Sequence, residues 1–199
     1  MNSVTAPRLG AHVAAIACIA VLVQACAFPP SIAESRAWST TRGARFEAEV
    51  VAPGAVRVLV FTTTDCPIAN SYAPLLVALD RDWRAHDVEI VLVHVDADAT
   101  AASVHAHASD YSLPFPIVLD AQQELAMRYG VTTTPEVAVL TRDGMQYRGR
   151  IDDRWRGRGI DSQTAESHDL KNAVDALLAG ELPAVARTEP VGCRLPALP

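Results

Sequence analysis

The stretch FTTTDCPIANSYAP, residues 61–74, sets one cysteine, Cys66, behind a run of threonines and directly ahead of Pro67. A cysteine attacks disulfides and peroxides as its thiolate. That form is favoured at a helix N-terminus, where unpaired backbone N–H groups and the positive end of the helix dipole converge. In such a setting a free-cysteine pKa of roughly 8.5 falls by a unit or more. Pro67 suits the first helical turn, because the N–H it lacks would find no partner there in any case. Three readings of Cys66 follow from its residue type: a small buried hydrophobe, half of a disulfide, or a nucleophile. Its place between the strand-like run VRVLVFT and a proline-started helical pattern favours the nucleophile.

The other cysteines reduce to one partner. Cys18 and Cys26 lie in the opening segment MNSVTAPRLGAHVAAIACIAVLVQACAFPPS, which has an early positive charge at Arg8, an apolar run through Val23, and small residues at Ala25 and Ala27. That is the layout of a secretory signal, and the run is short for a membrane span. Residues 1–27 are therefore read as a signal peptide cleaved after Ala27. VQAC also fits a lipoprotein signal, in which Cys26 becomes a lipidated first residue and the only link to a membrane; an uncleaved anchor helix is the third alternative. Export to the periplasm or cell envelope leaves Cys66 and Cys193 as the thiols of the mature chain, in a compartment that permits a disulfide between them.

The elements that must position these residues are legible as hydrophobic patterns. Residues 28–43 are rich in Pro, Ser and Thr and read as a linker. RFEAEVV alternates like a strand, VRVLVFT and VEIVLVHVD read as strands buried on both faces, and FPIVLD is a third such strand. ANSYAPLLVALDRDWRA carries Leu75, Leu76, Leu79 and Trp83 at helical spacing. TAASVHAHASDYS and AQQELAMRYG read as helices, the latter ending on a C-terminal glycine. PEVAVLTRDGMQYRGRI reads as a hairpin turning at DG, and SHDLKNAVDALLAG as a closing helix. This order gives an α/β fold, a mixed central sheet with helices on both faces, spanning 44–182. A proline-rich tail, 183–199, carries Cys193. Cys66 falls at the carboxyl end of a strand, where sites collect in such sheets.

In GVTTTPEVAVL, Pro135 opens a strand after a threonine run, and an X-Pro bond there can be cis. With FTTTDCPIANSYAPLL, FPIVLD, TTPEVAVLTRDG, YRGRIDD and the late GC at Gly192 and Cys193, the chain resembles the thioredoxin-like superfamily. Within it, the segment from about Arg45 to Gly180 is similar to the exported redoxin and alkyl hydroperoxide reductase/thiol-specific antioxidant (AhpC/TSA, peroxiredoxin-like) group. The resemblance implies a thioredoxin-like fold and an oxidoreductase without a cofactor. Cys66 would be the nucleophile, and Thr63 the hydroxyl of a Thr-x-x-Cys pattern that donates to a peroxide oxygen or to the thiolate. Thr134 and Pro135 would form the loop facing the sulfur, and Pro74 falls where the first helix of this fold is often kinked.

Departures from the pattern are informative. Leu59 stands where peroxiredoxins carry a proline, and Ala69 where Cys-x-x-Cys reductases carry their second cysteine. Asn70 stands where the copper-delivering relatives carry theirs, so no soft metal site is implied. With no neighbouring thiol, Cys193 is the candidate to resolve Cys66 or to pair with it at rest; a structural bridge, or a link between two chains, are the alternatives.

Arg148 or Arg150 would serve as a cation near Cys66 if the fold brings it there. Otherwise the cluster Arg148, Arg150, Arg154, Arg156 and Arg158, interleaved with Asp152 and Asp153, is a salt-bridged surface loop. His105 and His107 point to different sides of a helix and read as a solvated pair. His94 reads as a hydrogen-bonded core residue, and DADAT as a strand end rather than a calcium loop. A net charge of −6 and a pI near 5.4 exclude a phosphate-binding surface, so nucleic acid is not a partner.

Three functions are compatible with these features. They are reduction of a hydroperoxide with a thiol reductant, thiol–disulfide exchange with exported proteins, and a non-catalytic binding module on the same fold.

Overall fold

The computed structural model describes residue 1 and residues 38–157 and 164–198. The stretch read as a signal peptide, from residue 2 on and with Cys18 and Cys26, lies outside the described residues, as does Arg158. In chain order the domain opens with β1 (Trp38–Ser39), β2 (Arg45–Phe46) and β3 (Val56–Thr62), which leads into α1 (Pro67–Ser71) and α2 (Ala73–Trp83). Next come β4 (Val88–His94), α3 (Ala101–Asp110), β5 (Ile117–Leu119) and α4 (Glu124–Tyr129). The chain closes with β6 (Thr133–Thr134), β7 (Glu136–Thr141), β8 (Gly144–Gly149), α5 (Asp169–Leu178) and β9 (Cys193–Arg194).

Five strands form the central sheet in the order β5-β4-β3-β7-β8. The β5-β4-β3 half is parallel and β7 and β8 run antiparallel, which makes the sheet mixed, as the element order implies. Successive side chains of a strand face opposite ways, so the continuous apolar runs divide between two cores. Val56, Val58 and Val60 join Ile90, Leu92, Val137 and Val139 against Leu76, Leu79 and Trp83 of α2, Val104 of α3, and Leu170 and Val174 of α5. Leu59 and Phe61 join Val91, Val93, Ala138 and Leu140 against Leu125 and Ala126 of α4 and Phe46 of β2. Among the described residues no helix is long and apolar enough to cross a membrane.

Two local expectations are revised, at RFEAEVV and at the linker, and the kink expected at Pro74 is met as a break in the helix. RFEAEVV pairs as a strand only at Arg45–Phe46, opposite β1; beyond it the carbonyls of Glu47, Ala48 and Val50 accept from the Arg57 guanidinium instead of a neighbouring strand. The helix after Cys66 is broken at Tyr72, because Pro74 has no N–H to return to the preceding turn and instead starts a new helix. The end of the segment read as a linker lies on the fold: Trp38 pairs with Phe46, and the Thr41 N–H donates to the Ile117 carbonyl.

The tail is docked as well. The Arg148 N–H donates to the Ala186 carbonyl at 3.0 Å and the Thr188 N–H to the Arg148 carbonyl at 3.1 Å, so residues 186–188 extend the sheet beyond β8. Phe61 of β3 pairs with Glu136 of β7. This antiparallel register brings the end of β3, which feeds Cys66, to the same edge as the start of β7, which follows Pro135.

Candidate active site

Cys66 is the N-cap of α1, with Pro67 at the first helical position. Its backbone is extended, and its sulfur accepts from the Ala69 N–H at 3.5 Å. The thiol donates to the Thr134 carbonyl at 3.2 Å. Thr134 precedes Pro135 through a cis peptide bond, so the carbonyl that accepts from Cys66 belongs to the residue just ahead of the proline. The sulfur-bearing residue is only 1% exposed.

The tail runs along the Thr133–Thr134 strand that faces the sulfur. β9 pairs antiparallel with β6, with Cys193 opposite Thr134 and Arg194 opposite Thr133. Cys193 therefore sits across from the residue whose carbonyl accepts from the Cys66 thiol, and both cysteines are present as thiols. The approach depends on Gly192: a Cβ there would fall 2.1 Å from the Thr134 carbonyl oxygen. Farther along, the Leu195 N–H donates to the Thr132 carbonyl, and Gln123 donates to the Pro196 carbonyl at 2.7 Å. Gln123 is a buried residue with a left-handed backbone, φ 54°; no sequence pattern marks it as a clamp on the tail.

The remaining predicted residues are placed less uniformly. Thr63 is buried immediately beyond β3. Arg148 is turned to a different task from the one expected: its guanidinium faces Glu136, Nε to Oε1 at 3.4 Å, and donates to the carbonyls of Tyr129 and Gly130. Gly130 ends α4 in the left-handed conformation, φ 65°, and a side chain there would strike the guanidinium. Arg148 is drawn inward because Glu136, in the buried strand PEVAVL, needs a cation; burial, against the pull of the Thr132 N–H and Arg148, pushes its carboxyl above the usual range. The other described arginines of the cluster pair with carboxylates: Arg150 with Asp169 and Arg156 with Asp153 and Glu166 towards the surface, and Arg154 with Asp152, which is buried and also accepts from the Tyr72 hydroxyl at 2.6 Å.

His107 also departs from expectation, since it is buried and not solvated. Its ring stands edge-on to His94, centroids 5.3 Å apart. Burial, and after it the neighbouring His94, holds the His107 imidazole below its usual range, against Asp96 and Asp110. A lowered folded value means that the unfolded chain binds the proton first. The stabilisation is complete above about pH 6.5 and is lost as pH falls from there through the depressed value. The urea midpoint is expected to decline between pH 7 and pH 5, and to decline less in His107→Gln; equal slopes in the two proteins overturn this.

A family profile described as Redoxin matches residues 30–166, a span that holds Cys66, Thr134, Pro135 and Arg148 and stops short of Cys193. Among solved structures the chain is similar to an uncharacterized conserved protein from Geobacillus kaustophilus, at 27% identity and a TM-score of 0.69, over 82% of this chain and 88% of that one. It is similar also to a hypothetical protein from Sinorhizobium meliloti 1021, at 25% identity and a TM-score of 0.67, over 80% of this chain and 89% of the other. In fold alone it is similar to a secreted Mycobacterium tuberculosis disulfide oxidoreductase, at 23% identity and a TM-score of 0.52, over 73% and 96% of the two chains. A search of curated proteins finds no match. With a profile that covers more than half of its length and a cysteine that caps a helix beside a cis-proline, the chain belongs to the Redoxin family, thiol oxidoreductases of the thioredoxin-like fold.

Proposed function

We propose that the protein is an exported thiol oxidoreductase in which Cys66 is the nucleophile and Cys193 its partner, and that its oxidant is a hydroperoxide. The observation that carries this reading is the β6–β9 register, which sets Cys193 opposite Thr134 while the Thr134 carbonyl accepts from the Cys66 thiol. In the first step the Cys66 thiolate attacks one peroxide oxygen. The S–O bond forms as the O–O bond breaks, giving a sulfenic acid and an alcohol or water that takes up the proton. In the second, the Cys193 thiolate attacks the Cys66 sulfur and displaces hydroxide, which leaves as water. A dithiol reductant then restores both thiols by exchange. The close cover of Cys66 supports a small oxidant over a folded protein disulfide.

Thiol–disulfide exchange with another exported protein is the second reading, and one observation favours it. Arg148 is engaged with Glu136, so the site has no cation from that residue to polarise a peroxide. Export rests on residues 1–27, and a lipid on Cys26 would make the protein an anchored form of the same enzyme.

Peptide mapping under non-reducing conditions tests the cysteine pair. One equivalent of peroxide, added without reductant, is expected to link Cys66 to Cys193 in the wild type. In Cys193→Ser the same treatment is expected to leave a sulfenic acid on Cys66 that dimedone traps. Wild-type protein with both thiols still free after treatment removes Cys193 from the mechanism.

A further inference from the structure

The segment that presents Cys66 is gripped by polar side chains that the redox chemistry does not use. Asp96, just beyond β4, accepts from the Thr64 N–H at 3.2 Å and from the Thr64 hydroxyl at 3.4 Å, both on Oδ1. Its other oxygen lies 3.3 Å from Nδ1 of His94. From the opposite side Asn70, in α1, donates through Nδ2 to the Thr64 carbonyl at 3.1 Å, and its Oδ1 lies 2.8 Å from Nε2 of His107. The Asn70 backbone N–H also donates to the Cys66 carbonyl at 3.0 Å. Asn70 thus holds the chain on both sides of Asp65, and Thr64 is bound at its N–H and its carbonyl.

The protons on this network follow from its chemistry. A carbonyl only accepts, so Nδ2 of Asn70 faces Thr64 and Oδ1 faces His107; Nε2 of His107 must then carry the hydrogen. A carboxylate likewise only accepts, so Nδ1 of His94 carries one too. The remaining ring nitrogens, His94 Nε2 and His107 Nδ1, are buried and have no partner among the described residues. Burying a polar atom without a partner is costly, and phenylalanine would fill the same space without that cost. What the histidines add over an apolar ring is the bond each makes to the residue that holds Thr64.

We propose that Asp96 and Asn70, braced by His94 and His107, are positioning residues for Cys66: they clamp the Thr64 peptide groups and so fix where the sulfur stands against the Thr134 carbonyl. The inference rests on Cys66 as nucleophile but assigns roles to four residues that touch neither the sulfur nor a substrate. Asn70 occupies the position at which a Cys-x-x-x-Cys protein has its second thiol, and here its amide ties down the loop in which the first one lies.

Two readouts on the full-length chain test this: turnover with peroxide or a disulfide, and peptide-resolved alkylation of Cys66 in the reduced, folded protein. Asp96→Ala is expected to lower turnover about tenfold or more, since a small misplacement of a reacting atom costs up to roughly a hundredfold. It is expected at the same time to speed alkylation, because the freed loop exposes a sulfur that is now covered. Asp96→Asn keeps an acceptor for the Thr64 N–H and is expected to restore both readouts to within about threefold. Asn70→Ala tests the other grip should Asp96→Ala fail to fold. Because both act through the one Thr64 segment, the double variant is expected to lose far less than the product of the single losses.

A role confined to stability would leave both readouts at wild-type values well below the unfolding temperature, and that result overturns the proposal. Faster alkylation in Asp96→Ala, from a wild-type protein that turns over nothing, would instead uphold the clamp and reject Cys66 as a redox nucleophile.

Discussion

Cys66→Ser is expected to abolish turnover with peroxide and with disulfides, by on the order of a thousandfold or more, because a serine alcohol supplies no appreciable anion near neutral pH where a thiol does. The same substitution is expected to leave the fold intact. Serine is nearly the shape of cysteine, so the buried position loses little packing. Its hydroxyl can donate to the Thr134 carbonyl and accept from the Ala69 N–H, as the sulfur does. Serine is also among the preferred N-cap residues, so the melting temperature should hold or rise slightly. The divergence is the informative part: lost activity at unchanged stability places the chemistry on the sulfur. Peroxide consumption and insulin reduction, measured beside thermal melting, check it. Loss of only the peroxide reaction supports the first proposed reading, and loss of only the disulfide reaction the second. Unchanged rates in both assays leave a binding module with a buried cysteine.

How much of this could be seen in the chain depends on the range of the interaction. The strands VRVLVFT and VEIVLVH, the α4 cap at Gly130 and the helix 169–178 announce themselves through local periodicity and local backbone demands, and the structure forms them with small changes at the ends. The helix after Cys66 was legible too, and even its interruption is local, since Pro74 alone forces it. Long-range choices were not legible. Nothing near Arg148 says that its partner is Glu136, because that contact is set by a hairpin register and by a carboxylate placed in an apolar strand.

A charge inside PEVAVL was the one available hint, and it pointed to a buried partner without naming it. His107 is the same case. His105 and His107 read as a solvated pair, but α3 packs so that the His107 ring meets His94 and the Asn70 side chain in the interior. The sequence shows the tail only as proline-rich; in the structure it bridges to Arg148 beside β8 and then pairs with β6, contacts that no proline-rich composition foretells.

Glu136→Ala is expected to be the most destabilising single change near the site, at about 3–5 kcal/mol, because it strands a buried guanidinium. Glu136 is 1% exposed and Arg148 7%. Burial holds the Glu136 carboxyl above its usual range in spite of Arg148, so desolvation outweighs the attraction, and the pair is better regarded as two buried charges that make each other tolerable. Without the carboxylate, the partners left to the Arg148 guanidinium among the described residues are the carbonyls of Tyr129 and Gly130, which carry no net charge. The Thr132 N–H loses its acceptor at 3.0 Å as well, and Thr132 is the residue that accepts from Leu195 of the tail. At roughly 2–4 °C per kcal/mol for a chain of this size, the melting temperature should fall by about 6–20 °C. Glu136→Leu combined with Arg148→Met is expected to recover most of that loss, since a well-packed apolar pair carries no desolvation cost. Urea unfolding of the single and double variants separates the two possibilities. A single variant within about 1 kcal/mol of wild type would mean that water reaches Arg148 and that the pair is a surface contact.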